Sequence, residues 1–181
     1  MRKKSKQQNH SKYRYTTINC FFKTCIDNVS IVLEYENKIV GTIKGFGIPG
    51  GLPWHLTDEV YIPVNCNGEF HWILAIVVLK ERCIKVYDSM SSYRTNGKLC
   101  SEIQKLSTLL PKYIKSSGFF DQKDQTNWPV LESYQGKNKS HPFEVRRVTG
   151  FLSDGLQVPS YGISSETLRM RLLHSYGIMG F

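Results

Sequence analysis

The sequence lacks the features that assign a chain to a membrane or secreted class. Its longest uninterrupted apolar run, Trp72 to Leu79, is far shorter than the roughly 20 residues of a membrane-spanning helix. No apolar stretch follows the basic N-terminus, as it would in a secretory signal. We therefore expect an intracellular protein, nuclear or cytoplasmic, with no membrane partner.

Motifs for cofactors and metals are also missing. Glycine and proline crowd into residues 45–53, but neither GK[ST] nor GxGxxG appears, so a phosphate-binding loop is not supported. The cysteines are odd in number, and no pair has the CxxC spacing typical of a structural zinc site. They are Cys20, Cys25, Cys66, Cys83 and Cys100. The sequence predicts no cofactor, no metal, and reduced thiols rather than a disulfide framework.

Acidic residues are absent from the first 26 positions, which hold seven Lys or Arg. The other 155 residues hold 17 basic and 15 acidic residues, a balance of +2, so most of the net charge of +9 belongs to the N-terminal region. We predict a basic disordered tail over residues 1–12 and a single domain over 13–181. The tail suits a nuclear-import signal or a loose nucleic-acid contact, but a solvated terminus is the simpler interpretation.

Three apolar segments carry the strongest structural pattern. They span residues 60–64, 70–79 and 83–87, and short polar turns separate them, the second being Lys80-Glu81-Arg82. This arrangement predicts an antiparallel meander whose middle strand is covered on both faces. Upstream, the short apolar pieces 31–35 and 38–43 suggest a β-hairpin.

Helices are predicted after the meander. Apolar residues at spacings of four, three and four form one stripe, which is typical of an amphipathic helix that Pro111 ends or kinks. The stripe consists of Leu99, Ile103, Leu106 and Leu110. A last helix is expected over about 165–176. Residues 119–150 show little periodicity, so the predicted fold class is α+β.

His71 and Asp88 are the residues that suggest chemistry. His71 opens the middle strand and Asp88 ends the next one, 17 residues later. Because adjacent antiparallel strands bring these ends together, we expect the two side chains to be neighbours. An Asp beside a His fixes its tautomer and stabilises the imidazolium, as in a nucleophilic triad. On spacing alone, a satisfied surface or core histidine is the commoner explanation.

Six segments of the chain form a recognisable series. They are residues 58–65 (Asp-Glu-Val-Tyr-Ile-Pro-Val-Asn), 71–75 (His-Trp-Ile-Leu-Ala), 79–82 (Leu-Lys-Glu-Arg), 86–90 (Val-Tyr-Asp-Ser-Met), 128–134 (Trp-Pro-Val-Leu-Glu-Ser-Tyr) and 152–159 (Leu-Ser-Asp-Gly-Leu-Gln-Val-Pro). In their order and gaps, these segments resemble the catalytic domain of the ubiquitin-like (SUMO-specific) cysteine proteases, in particular their plant, transposon-associated branch. The resemblance runs from about Lys12 to Tyr176 and is strongest from Gly51 to Ser89.

The resemblance implies a papain-like α+β fold with an antiparallel central sheet and flanking helices. It implies His71 as general base and Asp88 as the carboxylate that orients it. Trp72 would wall the channel that holds a Gly-Gly tail, although an indole packed in the core is an equal alternative. The implied activity is a cysteine peptidase that cleaves SUMO-type modifiers from precursors or conjugates.

The chain departs from the family at the nucleophile. The family motif is Gln-x(5)-Asp-Cys-Gly, with the Cys at the N-terminus of a central helix that lowers the thiol pKa. Here no cysteine follows Cys100, and residues 143–150 pass directly to 151–154. We interpret this as a deletion of the nucleophile loop and helix, joined near Gly150 and Phe151.

No other residue replaces the missing groups convincingly. Cys100 lies on the predicted helix and suits a buried apolar position. Cys66, five residues before His71, has no helix N-terminus or oxyanion donor behind it. Gln135 and Gln157 lack the Asp-Cys-Gly that should follow the oxyanion Gln.

We therefore predict an inactive member of the family. Loss of the nucleophile typically reduces the rate by a factor of about 10⁴ to 10⁶. The alternatives are a non-catalytic module that binds a ubiquitin-like modifier, a nucleic-acid contact through the tail, and a degenerate transposon-derived product. Without the central helix, one sheet face should lose its cover and the protein should be marginally stable.

Overall fold

The computed structural model of the protein describes residues 14–28, 33–46, 51–66, 72–88, 101–122 and 126–148. The predictions for the tail, the last helix and the junction at 150/151 lie outside these residues, as do those for His71, Cys100 and Gln157. Trp72 and Asp88 are placed by their backbones alone. In the described ranges, no helix has both the length and the apolar character that crossing a bilayer requires.

A five-stranded sheet forms the centre of the fold. Its strands are β1 (Tyr15–Thr17), β2 (Glu59–Asn65), β3 (Trp72–Val78), β4 (Cys83–Asp88) and β5 (Glu144–Val148), and their spatial order follows their numbering. The meander β2–β3–β4 is antiparallel, as predicted. The two edge strands were not predicted, and both are parallel to their neighbours. Parallel pairing needs a long crossover, and helices lie in both connections.

Three α-helices flank the sheet: α1 (Cys20–Asn28), α2 (Leu33–Ile43) and α3 (Ser101–Ser116). Short 3₁₀ helices span Trp54–Leu56, Phe119–Asp121 and Trp128–Val130. With the mixed sheet, these helices confirm the α+β fold class.

The predicted hairpin at 31–35 and 38–43 is wrong, because helix α2 occupies this region. Ile39 and Ile43 are both buried, and their spacing of four residues places them on one helical face. On the exposed face, Lys38 Nζ lies 2.8 Å from Glu34 Oε1, again four residues away. The short apolar pieces were interpreted as two strands, although the spacing of Ile39 and Ile43 matches a helix.

Helix α3 confirms the predicted apolar stripe at Ile103, Leu106 and Leu110, whereas Leu99 lies outside the described residues. The helix continues through Pro111 to Ser116. Proline has no N–H, so the carbonyl of Ser107 four residues earlier loses its usual helical donor. The backbone N–H of Phe143 donates to that carbonyl at 3.0 Å. The helix therefore tolerates its internal proline, and the chain entering β5 is attached to α3.

Both faces of the sheet are buried. One face joins all three helices in the main core, with Val60, Ile62, Ala75 and Val77 at 0% exposure. The other face forms a second cluster, in which Leu74, Ile76 and Val78 are only 6–8% exposed. The expectation of an uncovered sheet face is therefore wrong, and the predicted marginal stability loses its basis.

Candidate functional site

The candidate site lies where β3 begins and β4 ends. Asp88 is the register partner of Ile73, and Trp72 is the partner of Asn65 at the end of β2. Three strand ends therefore meet at one end of the sheet, as the sequence predicted. His71 immediately precedes β3 but lies outside the described residues, so its hydrogen bond to Asp88 stays a prediction.

The turn between β3 and β4 fixes this register. The chain reverses over residues 79–82, where the Arg82 N–H donates to the Leu79 carbonyl at 3.3 Å. Arg82 adopts a left-handed backbone with φ of 54°, which is uncommon for a residue with a side chain. Val78 then pairs with Cys83, and the ladder continues to Ile73 and Asp88.

Arg82 is a residue whose role the sequence analysis missed. The expected polar turn is buried at this position, since Arg82 is 3% exposed. Its guanidinium Nη2 donates to the carbonyls of Asn138 (2.9 Å) and His141 (2.5 Å). The guanidinium carbon lies 5.1 Å from the ring centroid of Tyr134 and 5.5 Å from that of Phe143. Nothing in the local sequence signals this burial, because the partners follow more than fifty residues later.

Cys66 follows β2 and lies at the same end of the sheet as Trp72. It is 1% exposed and disulfide-bonded, so its sulfur is not a free nucleophile. The prediction of reduced thiols is therefore wrong for Cys66. An odd cysteine count argues against a framework of bridges, but it does not exclude a single one.

Cys25 and Cys83 are free and buried. Burial raises the pKa of the Cys83 thiol to about 11, and the nearby Glu81 carboxylate acts in the same direction. Burial likewise raises the pKa of Cys25 in α1, although Lys38 opposes the shift. Catalytic thiols require a lowered pKa. Cys83 also lies at the far end of β4, roughly 17 Å from Asp88 at about 3.4 Å per residue.

Gln135 is not placed to act as an oxyanion donor beside Asp88. Its side-chain Nε2 donates to the Val130 carbonyl at 3.0 Å. The preceding Tyr134 donates its hydroxyl to the Leu79 carbonyl at 2.7 Å, beside the β3–β4 turn. Gln135 therefore lies at the end of the sheet opposite Asp88, in agreement with its rejection from sequence. In the described ranges, no group of three or more His, Cys, Asp or Glu is arranged to hold a metal ion.

Comparisons with known proteins show which family the chain resembles. The sequence model of the Ulp1 protease family, C-terminal catalytic domain, matches residues 55–154. No curated protein gives a significant match. Among solved structures, the chain is similar to the SUMO protease Ulp1 with its catalytic cysteine oxidized to a sulfonic acid, at 21% identity and a TM-score of 0.44. That match covers 75% of this chain and 47% of the other.

A second similar structure is the C-terminal Ulp1 protease domain in complex with SMT3, the yeast ortholog of SUMO. The identity is again 21% and the TM-score 0.44, with 76% of this chain and 48% of the other covered. This chain thus spans about half the length of the solved structures that it matches.

Proposed function

The chain belongs to the Ulp1 protease family, whose C-terminal catalytic domain it matches over residues 55–154, and we propose that it is a catalytically silent member. It keeps a base and an orienting carboxylate, His71 and Asp88, and has lost the nucleophile. One observation carries the proposal: among the described cysteines, both free thiols are buried with raised pKa values, and Cys66 at the candidate site is disulfide-bonded.

The register of β3 and β4 supports the proposed His71–Asp88 pair. Asp88 is directly opposite Ile73, and residues two apart on a strand share a face. If the alternation of β3 extends to the residue before it, His71 shares the face of Ile73 and Asp88. An Asp in that position holds the imidazole in one tautomer and stabilises its charged form.

We further propose that the nucleophile was lost by an internal deletion near Gly150 and Phe151, in a chain of the plant transposon-associated branch. The sequence on each side of that junction lies inside the family match, which extends to residue 154. Strand β5 ends at Val148, just before it. The family's Asp-Cys-Gly would follow at this point, and the sequence has no cysteine beyond Cys100.

Without a thiolate no acyl-enzyme forms, and hydrolysis by this route requires one. We propose that the remaining function is binding of a SUMO-type modifier or its conjugates. The contact would lie at the end of the sheet where β3 begins and β4 ends, and Trp72 would line it. This proposal rests on family membership and on the position of Trp72 at the start of β3.

An activity-based probe tests the catalytic part of the proposal. SUMO with an electrophile at its C-terminus should not label the purified chain. Insertion of a Gln-x(5)-Asp-Cys-Gly loop and its helix between Gly150 and Phe151 should create labelling, and His71→Ala in that background should abolish it. Labelling of the unaltered chain that a single Cys→Ser substitution removes would refute the proposal.

A binding measurement tests the remaining part. Unmodified SUMO should bind the chain saturably, and Trp72→Ala should weaken that binding. If the folded chain shows no saturable binding of SUMO, the binding proposal is wrong and the chain is better described as a degenerate product.

A further inference from the structure

A cavity of about 320 Å³ opens beside the loop that precedes β5. Phe120, Pro129 and Tyr134 supply its apolar walls, and Gln135, Lys137 and Lys139 supply polar lining. Because Tyr134 contacts Leu79 in the β3–β4 turn, the cavity lies at the end of the sheet opposite Asp88. The separation is roughly 20 Å, the length of β3 at about 3.4 Å per residue.

The charged side chains in the described lining of this cavity are two lysines, with no carboxylate among those described residues. Outside the lining, the Glu144 carboxylate interacts electrostatically with Lys137. Lys139 Nζ lies 5.0 Å from the centroid of the Phe120 ring, which holds one ammonium at the apolar wall. Behind Tyr134 lies the Arg82 guanidinium, whose Nη2 donates to two backbone carbonyls; within the described ranges, its Nε and Nη1 have no hydrogen-bond partner. Three cations therefore act on this surface, and an anionic partner is the complementary one.

Apolar surface continues outside the cavity. Val130 follows Pro129 and is 63% exposed, and the Gln135 side chain fixes its carbonyl. The aromatic walls do not offer an open stacking platform, since Tyr134 is 7% exposed and its ring is in contact with Arg82, Phe120 and Trp128. Single-stranded nucleic acid is held by stacking of bases on open aromatic faces. The shape therefore favours an inserted aliphatic or aromatic side chain over a nucleobase.

We propose that this cavity binds an acidic peptide segment of a partner protein that carries one large apolar residue. The apolar side chain fills the space between Phe120, Pro129 and Tyr134. Flanking carboxylates contact the ammonium groups of Lys137 and Lys139. The volume lies at the lower end of the range for small-ligand sites, which suits one or two side chains. The site is independent of the proposed catalytic pair.

The test uses a fluorescent peptide, Asp-Glu-Asp-Leu-Phe-Glu-Asp-Glu, and fluorescence polarisation with the full chain. Lys137→Gln combined with Lys139→Gln should weaken binding on the order of tenfold. Lys112→Gln combined with Lys115→Gln, on the exposed surface of α3, removes the same charge elsewhere and should leave the affinity unchanged. Val130→Asp, at an exposed position, should also weaken binding by charge repulsion.

Two further ligands test whether the negative charge of the peptide is needed for binding and whether nucleic acid binds at the same site. A peptide with Asn and Gln in place of Asp and Glu should bind much more weakly, and added salt should reduce the affinity of the acidic peptide. A short oligothymidylate should not compete with the peptide. The proposal would be overturned if the two double-lysine variants lost equal affinity for the acidic peptide. It would also be overturned if the neutral peptide bound as tightly as the acidic one, or if the oligonucleotide competed fully with the peptide.

Discussion

Removal of one oxygen atom by Tyr134→Phe measures how strongly the loop before β5 is attached to the β3–β4 turn. The Tyr134 hydroxyl donates to the Leu79 carbonyl at 2.7 Å in a buried site. Phenylalanine keeps the ring contacts with Phe120, Trp128 and Arg82 and deletes only this bond. The Leu79 carbonyl still accepts the Arg82 N–H at 3.3 Å, so it is not left without a donor.

The expected loss in the free energy of unfolding is therefore about 0.5–1.5 kcal/mol, the net value of one hydrogen bond. An orphaned buried carbonyl would cost about 1–3 kcal/mol. For a chain of this size, the loss corresponds to a fall in Tm of about 2–4 °C per kcal/mol. Urea unfolding followed by circular dichroism gives the difference directly.

Tyr113→Phe is the matched control. Tyr113 is half-buried on α3, and in the described part of the chain its hydroxyl has no hydrogen-bond partner. Its substitution should change the free energy of unfolding by less than about 0.5 kcal/mol. Equal effects of the two substitutions, or a loss above about 3 kcal/mol for Tyr134→Phe, would contradict the hydrogen-bond assignment.

The wild type and Tyr134→Phe should also differ in how their stability depends on pH. Burial raises the pKa of Tyr134 well above its ordinary value of 10.0, although Arg82 partly opposes the shift. The folded chain therefore keeps a proton that the unfolded chain releases above pH 10. The contribution to stability is complete below that pH and is lost as pH rises towards the raised pKa. The wild type should lose stability above pH 10 more steeply than Tyr134→Phe, whereas parallel curves would refute the shift.

Two further predictions concern ionisable groups elsewhere in the structure. Because burial raises the pKa of Cys83 to about 11 and also raises that of Cys25, iodoacetamide at pH 8 should modify neither thiol until urea unfolds the chain. Mass spectrometry of the folded protein checks this, and rapid alkylation of Cys83 would contradict it. Burial tends to raise the pKa of Asp58, but the Lys80 ammonium and the Arg14 N–H outweigh it, so the pKa is lowered. The stability advantage of the wild type over Asp58→Asn should therefore be present at pH 7 and shrink as pH falls below about 4; a constant difference in urea unfolding would be evidence against this pairing.

The central meander and helix α3 could be predicted because their signals are local. An apolar run such as 73–79 and the stripe Ile103, Leu106 and Leu110 are readable within one segment. Strands β1 and β5 were not predictable in this way. Strand β5 has the sequence Glu-Val-Arg-Arg-Val and is mostly exposed, so its identity as a strand depends on pairing with β4. Helix α2 was misassigned because its short apolar pieces showed no clear period in the sequence.

The candidate site was predictable only as far as strand ends could be placed. The register of β3 and β4 follows from a short turn between two apolar runs, and it brings Asp88 opposite Ile73 as expected. The state of Cys66 and the burial of Arg82 depend on contacts distant in sequence. No local pattern encodes such contacts. Cys66 was therefore interpreted as a reduced thiol, and Arg82 as part of a polar turn.

The bond from the Phe143 N–H to the Ser107 carbonyl has a consequence for the order of folding. The meander closes through two short connections, whereas β5 joins β4 only after residues 89–143 have been brought back along the sheet. Closing so long a loop costs conformational entropy before any strand pairing compensates for it. Because α3 is built from local contacts, we expect the Ser107 carbonyl, which Pro111 leaves without its helical donor, to be an early docking point for the returning chain. Assembly of the second sheet edge should then depend on a helix that has formed across its own proline.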